Sequence, residues 1–149
     1  MKWTKWDKAH IATARVYATL SSATRLQVGA VIVKDNRVIS IGYNGMPTGW
    51  DNTCEDENNV TKPEVLHAET NAIAKVASST ESAQDATLYC THAPCLNCAK
   101  LIYQSGIIRV VYDQTYKTND GLTFLQKCGI IVQKVPRNKP QFYIIKNEE

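Results

Sequence analysis

An α/β protein, with a central mixed β-sheet flanked by helices on both faces, is what the sequence predicts from three observations. Two β-branched runs, residues 27–34 and 37–43, flank Asp35-Asn36 and read as a hairpin. From Ala86 onward, strand-like and helix-like segments alternate in the order expected of parallel βαβ connections. The 149 residues, 44% of them hydrophobic, suffice for one domain over residues 1–149 and are too few for two of ordinary size.

The first element is a helix over residues 7–21 that turns Ile11, Ala14, Tyr17 and Ala18 inward at helical spacing, with Trp3 and Trp6 packed at its entrance. In the hairpin, Val31, Val33, Val38 and Ile41 are available for burial. Asn44-Gly45-Met46-Pro47-Thr48-Gly49 and the polar residues as far as Pro63 form a long ordered loop, of a kind often functional in compact domains, before a helix over 67–78. The alternating half then runs strand 87–91, helix 95–105, strand 107–112, helix about 121–128 and strand 130–135. Residues 142–145 add a last short strand or a packed tail, and no repeat, linker or low-complexity tract interrupts the chain.

Seventeen basic and 14 acidic residues give a formal net charge of +3, too mild an excess to indicate a nucleic-acid-binding surface. The acidic run around Asp51, Glu55, Asp56 and Glu57 reads as a solvated loop between more basic stretches. The N-terminal residues 1–8 lack the apolar stretch of a signal peptide, and no segment is long enough to span a bilayer, so no membrane association is expected. Five cysteines, an odd number without a disulfide spacing scheme, point to a reducing cytoplasm.

His67-Ala68-Glu69 and Pro94-Cys95-Leu96-Asn97-Cys98 carry the chemistry. Alone, each half is weak: His-x-Glu is common, and Cys-x-x-Cys can be a redox pair or half of a structural zinc site. In this order they form the signature of zinc-dependent nucleobase deaminases. His67, Cys95 and Cys98 make three zinc ligands and leave a fourth position for water, as catalytic and not structural sites do, and Glu69 is the carboxylate that moves protons. Cysteines in the first turn of a helix share one face, and the positive helix end lowers thiol pKa values; Pro94 suits the entry to that helix. The metal is expected between two helix starts.

Val28-Gly29-Ala30-Val31-Ile32, Gly42-Tyr43-Asn44-Gly45-Met46-Pro47, His67-Ala68-Glu69-Thr70-Asn71-Ala72-Ile73, Thr91-His92-Ala93-Pro94-Cys95 and residues 106–112 together resemble the motif series of deoxycytidylate (dCMP) deaminases, from about residue 8 to 135. The resemblance implies the three-layer αβα cytidine deaminase-like fold and hydrolysis of a cyclic amidine, dCMP to dUMP and ammonia, feeding thymidylate synthesis. Glu69 then protonates N3 of cytosine and helps the C4 amino group leave. It also implies one catalytic Zn2+ per chain and a length matching the compact phage form, with a cytoplasmic location that is the host's if the gene is a phage's.

For substrate contacts, the resemblance points to Asn44 at the sugar, the alternative being a left-handed turn residue, and to the backbone of Ala68 at the pyrimidine. Arg25, Tyr116 and Lys117 are candidates for the phosphate because they flank strand ends. Many relatives of this kind are homohexamers activated by dCTP and inhibited by dTTP, and an effector site is expected around Gly42, Tyr43, Gly45, Gly49, Glu64 and Asn71. Some members hold a second, structural zinc with a cysteine before the Val-Gly-Ala strand. Here that position reads Ala23-Thr24-Arg25, Cys54 alone remains, and His92 is expected in the substrate pocket or in packing. A deaminase acting on tRNA adenosine or a free nucleoside, an inactive regulatory module and a purely structural zinc protein remain as alternatives.

Overall fold

The computed structural model describes residues 2–137, and the expected element at residues 142–145 lies outside them. The first helix, α1, is Lys5–Ala18, shifted toward the N-terminus of its expected range. The reason is a capping box: Thr4 Oγ1 accepts the Asp7 N–H, and the Asp7 carboxylate accepts the Thr4 N–H at 3.0 Å, which satisfies two orphan donors. Ile11, Ala14 and Ala18 are buried as expected, and Tyr17 is half-buried. Trp3 packs at the helix entrance, whereas Trp6 points to solvent, contrary to expectation.

Strands β1 (Gly29–Lys34) and β2 (Arg37–Tyr43) form the hairpin, with Asp35 and Asn36 at φ 52° and 58°, the double left-handed turn that matches strand twist. β1 starts two residues later than expected because the Val28 N–H is taken by the side chain of Asn44 and not by a neighbouring strand. Val38 is exposed, not buried. It pairs with Val33 on the outermost strand, beyond a register shift at Ile32/Val33, while α1 packs chiefly over β1 and β3.

The remaining elements are α2 (Ala68–Ala77), β3 (Thr87–His92), α3 (Leu96–Gln104), β4 (Arg109–Gln114), α4 (Asp120–Lys127) and β5 (Ile131–Lys134). The sheet order is β2-β1-β3-β4-β5. β1 is antiparallel to β2 and β3, and β3, β4 and β5 run parallel, as the alternating half of the sequence predicts. On one face, Ile11 and Ala14 of α1 cover Val31, Val33, Tyr89 and Val111. On the other, Ala68 and Ala72 of α2, Ala99 and Ile102 of α3 and Leu125 of α4 cover Ala30, Ile32, Leu88 and Val110. The result is the three-layer αβα arrangement. Glycine permits close contact between layers. A Cβ on Gly42 would lie 2.2 Å from the Ala68 carbonyl oxygen, so α2 can press on β2 only where no side chain intervenes.

Beneath α1 a charged cluster crosses the sheet. Arg109 Nη1 donates to Asp7 Oδ1 at 2.8 Å, and the Tyr89 hydroxyl donates to the same oxygen at 2.7 Å. No helix among the described residues is long and apolar enough to cross a membrane.

Candidate active site

Two helix starts meet at the C-terminal end of β3. His67 is the N-cap of α2 and Cys95 the N-cap of α3, both in extended backbone with no side-chain cap bond, so their ring and thiol are free to face each other. Cys98 follows in the first turn of α3 and Glu69 in the first turn of α2. α4 backs the arrangement. Gly121 sits so close that a Cβ there would lie 2.1 Å from the Pro94 carbonyl oxygen.

His67 Nδ1 lies 3.3 Å from Cys98 Sγ and 3.6 Å from Cys95 Sγ, and the three donor atoms all fall within 4.8 Å of one another. Bond lengths of about 2.0 Å to nitrogen and 2.3 Å to sulfur put the edges of a tetrahedral zinc site at about 3.4–3.8 Å. The donor set therefore fits zinc in both chemistry and spacing, with the fourth corner left to a non-protein ligand.

Without a bound metal the two thiols shift in opposite directions, through their contact with each other. Hydrogen bonds from Cys98 and from His67 pull Cys95 down to about 4, while donating to Cys95, together with burial, pushes Cys98 up. The cause is local, the contact between the two thiols in the absence of a metal, and zinc binding requires both as thiolates. The hydrogen bond to Cys95 raises the His67 pKa despite partial burial. Glu69 is 4% exposed, and burial raises its pKa above the ordinary carboxylate value, against opposing pulls from a backbone hydrogen bond and His67. That direction suits a group that both takes and returns a proton near neutral pH.

A cavity of about 310 Å³ opens onto this centre, at the small end of the range for small-molecule sites. Asn44, Ala68, Arg25, Tyr116 and Lys117 all line it beside His67, Glu69 and Cys95, as does His92, whose Nδ1 lies 2.9 Å from Thr91 Oγ1. Asn44 is not in the left-handed region. Its side chain braces the opposite wall instead, accepting the Val28 N–H at 2.9 Å and donating to the Leu26 carbonyl at 2.7 Å.

The residues expected at an effector site lie outside this cavity. Gly42 is buried against α2, leaving no room for a ligand at that position. Asn71 Nδ2 donates to the Tyr43 carbonyl at 3.0 Å, and the Lys75 ammonium sits 5.6 Å from the Tyr43 ring centre. Gly45 pairs with Leu66, Gly49 adopts φ 86° in an exposed turn, and Glu64 is exposed.

Glu55 was not legible as a site residue. The acidic run reads as solvated, and Asp51, Asp56 and Glu57 are indeed exposed, but Glu55 is 8% exposed and lines the cavity. Its Oε1 accepts the N–H groups of Thr24 at 2.9 Å and Arg25 at 3.1 Å, bonds that hold its carboxyl below the usual range, the Arg25 bond foremost. No local pattern could reveal a contact that spans thirty residues.

Residues 4–114 match the family model described as the cytidine and deoxycytidylate deaminase zinc-binding region. Among curated relatives, the deoxycytidylate deaminase of Mycobacterium phage D29 is 39% identical over 121 residues, 72% of this chain and 93% of its own length. That of Saccharomyces cerevisiae is 37% identical over 139 residues, 87% of this chain, but the chain spans only 44% of the yeast protein. Among solved structures, the dCMP deaminase of cyanophage S-TIM5 in complex with dCMP and dUMP superposes with a TM-score of 0.88 at 40% identity, covering 91% of this chain and all of that one. With the donor set, the buried glutamate and the match over residues 4–114 in agreement, the chain belongs to the zinc-binding cytidine and deoxycytidylate deaminase family.

Proposed function

We propose that this chain hydrolyses dCMP to dUMP and ammonia. The observation that carries the reading is that one cavity is lined both by His67, Cys95 and Glu69 of the deamination machinery, with Cys98 completing the donor set beside them, and by two cations with a phenol hydroxyl, Arg25, Lys117 and Tyr116, suited to a monophosphate. Bound zinc supplies a Lewis acid that makes water nucleophilic at neutral pH. The protein does the rest. The Ala68 backbone and Asn44 orient base and sugar, and His92 and Ala93 close the wall around them. Glu69 takes a proton from the attacking water and delivers it to N3 as C4 becomes tetrahedral. A second proton passes through the same carboxylate to the amino group, and ammonia departs as the C4 carbonyl forms. The enclosure of Glu69 keeps bulk water from competing for these protons.

The reading extends to a homohexamer controlled by dCTP as activator and dTTP as inhibitor in the cytoplasm, of the host cell if the gene is a phage's. Exposed Leu96, Leu101 and Tyr103 on α3 support association of copies, and five cysteines free of disulfides support a reducing compartment. Opposed effectors must prefer different conformations, since equal affinity shifts nothing. The test is dUMP formation by the zinc-loaded protein from dCMP, with deoxycytidine and a tRNA anticodon stem in parallel and dCTP and dTTP as additives. Turnover of dCMP is the expected result; turnover of RNA or nucleoside alone would overturn the substrate, and hyperbolic curves unaltered by either triphosphate would remove the control.

A further inference from the structure

We infer that Glu55 is a positioning residue for the substrate phosphate: its buried carboxylate fixes the Thr24-Arg25 backbone and thereby aims the Arg25 guanidinium into the cavity. The inference rests on the reading that dCMP is the substrate.

Arg25 sits in an irregular segment outside helix and strand, where a long exposed side chain would sample many rotamers. Both of its ends are tied to one small hairpin. The backbone N–H donates to Glu55 Oε1, and Nη1 donates to Thr61 Oγ1 at 3.4 Å, Thr61 being the residue bridged to Glu55. The hairpin is itself closed from within. Asp56 Oδ1 accepts the N–H groups of Asn58 and Val60, the Asp56 N–H donates to the Val60 carbonyl at 2.8 Å, and Lys62 N–H donates to the Cys54 carbonyl at 2.8 Å. A clamp built on such a base holds its load in one place.

The sign of the charge needs an account, because a carboxylate lining a phosphate pocket ordinarily repels its ligand. Here one oxygen accepts two backbone N–H groups, donors that offset the anion locally. The clamp therefore contributes order to Arg25 while its repulsion of the phosphate is reduced. Ordering done before binding is ordering that the substrate need not supply, so its loss falls on KM.

The experiment measures kcat and KM for dCMP in the zinc-loaded wild type, Glu55→Ala, Glu55→Gln, Arg25→Ala and the Glu55→Ala/Arg25→Ala double variant. Glu55→Ala should raise KM by about tenfold with kcat within about twofold, and Glu55→Gln, which keeps an acceptor oxygen, should recover most of the loss. In the Arg25→Ala background, Glu55→Ala should add less than about twofold, because a residue acting through Arg25 has nothing left to position. Factors that multiply in the double variant, a fall in kcat in place of a rise in KM, or unchanged kinetics would overturn the inference while leaving dCMP as substrate. If Glu55→Ala does not fold, Glu55→Gln and its combination with Arg25→Ala decide the same question: a KM unchanged by the first, or factors that multiply in the second, overturns the inference. A wild type that makes no dUMP overturns both readings.

Discussion

Among the described residues, Glu69 holds the one carboxyl that is both buried and placed beside the donor set, and burial is what keeps its proton affinity high. Replacing it by Gln preserves size while removing the exchangeable proton. Glu69→Gln should therefore retain about one zinc per chain by elemental analysis and lose about 10²–10⁴ in kcat for dCMP. His67→Ala, Cys95→Ser and Cys98→Ser should do the reverse at the level of composition, lowering zinc content together with activity. Near wild-type turnover in Glu69→Gln would sink the assigned role. These four residues were legible in the sequence because the chemistry fixes their types and the helix fixes their spacing: Cys-x-x-Cys at a helix start places both sulfurs on one side. Glu55 was illegible for the opposite reason. Its meaning lies in a turn thirty residues away, and an acid among acids carries no local sign of burial.

At the scale of elements, the site depends on how three helices abut. α4 reaches the Pro94-Cys95 turn through Gly121, and a methyl group there would lie 2.1 Å from the Pro94 oxygen and 3.0 Å from that of Cys95. Helix propensity alone favours Ala over Gly by about 1 kcal/mol in a helix interior. The overlap is with backbone, which no side-chain rotation relieves, and overpacking of that kind costs about 1–3 kcal/mol. Packing should win. Gly121→Ala is expected to lower the melting temperature and weaken zinc retention against a chelator, whereas Thr123→Ala on the exposed side of the same helix should stay within about 0.5 kcal/mol of wild type. Gain of stability in Gly121→Ala would mean that the α3–α4 contact yields more readily than its geometry implies. The elements were readable wherever hydrophobic period and turn chemistry agreed, as at Asp35-Asn36. They slipped where a side chain replaced a backbone partner, the Asn44 carboxamide cutting β1 short at Gly29, or where a capping box outranked periodicity, Thr4 and Asp7 starting α1 early.

Across the whole molecule, the two faces of the sheet are fastened by different chemistry. The hairpin and the parallel run of the last three strands followed from the sequence, through Asp35-Asn36 and the alternation of strand and helix, whereas the antiparallel pairing of β1 with β3 that joins them had no local signal. The salt bridge beneath α1 had none either, because Asp7 and Arg109 are 102 residues apart. Burial alone would raise the Asp7 pKa, but hydrogen bonds from Arg109, Tyr89 and the Thr4 N–H outweigh it and hold the folded value below the ordinary 3.8. A depressed acid stabilises the fold fully above its unfolded pKa and loses that contribution as pH falls through the folded one. Asp7→Asn leaves Arg109 buried and uncompensated, a loss of about 3–5 kcal/mol at neutral pH. The gap in melting temperature between wild type and Asp7→Asn should accordingly be widest from pH 5 to 7 and narrow below about pH 4. Zinc on the opposite face contributes by binding only the folded chain, so a chelator at pH 7 should lower both melting temperatures by similar amounts. The cluster and the metal centre share no partner, and separate sites add. A chelator effect that disappears in Asp7→Asn would instead make α1 part of the metal site's support, coupling the two faces through β3, the strand that carries Tyr89 and leads into Cys95.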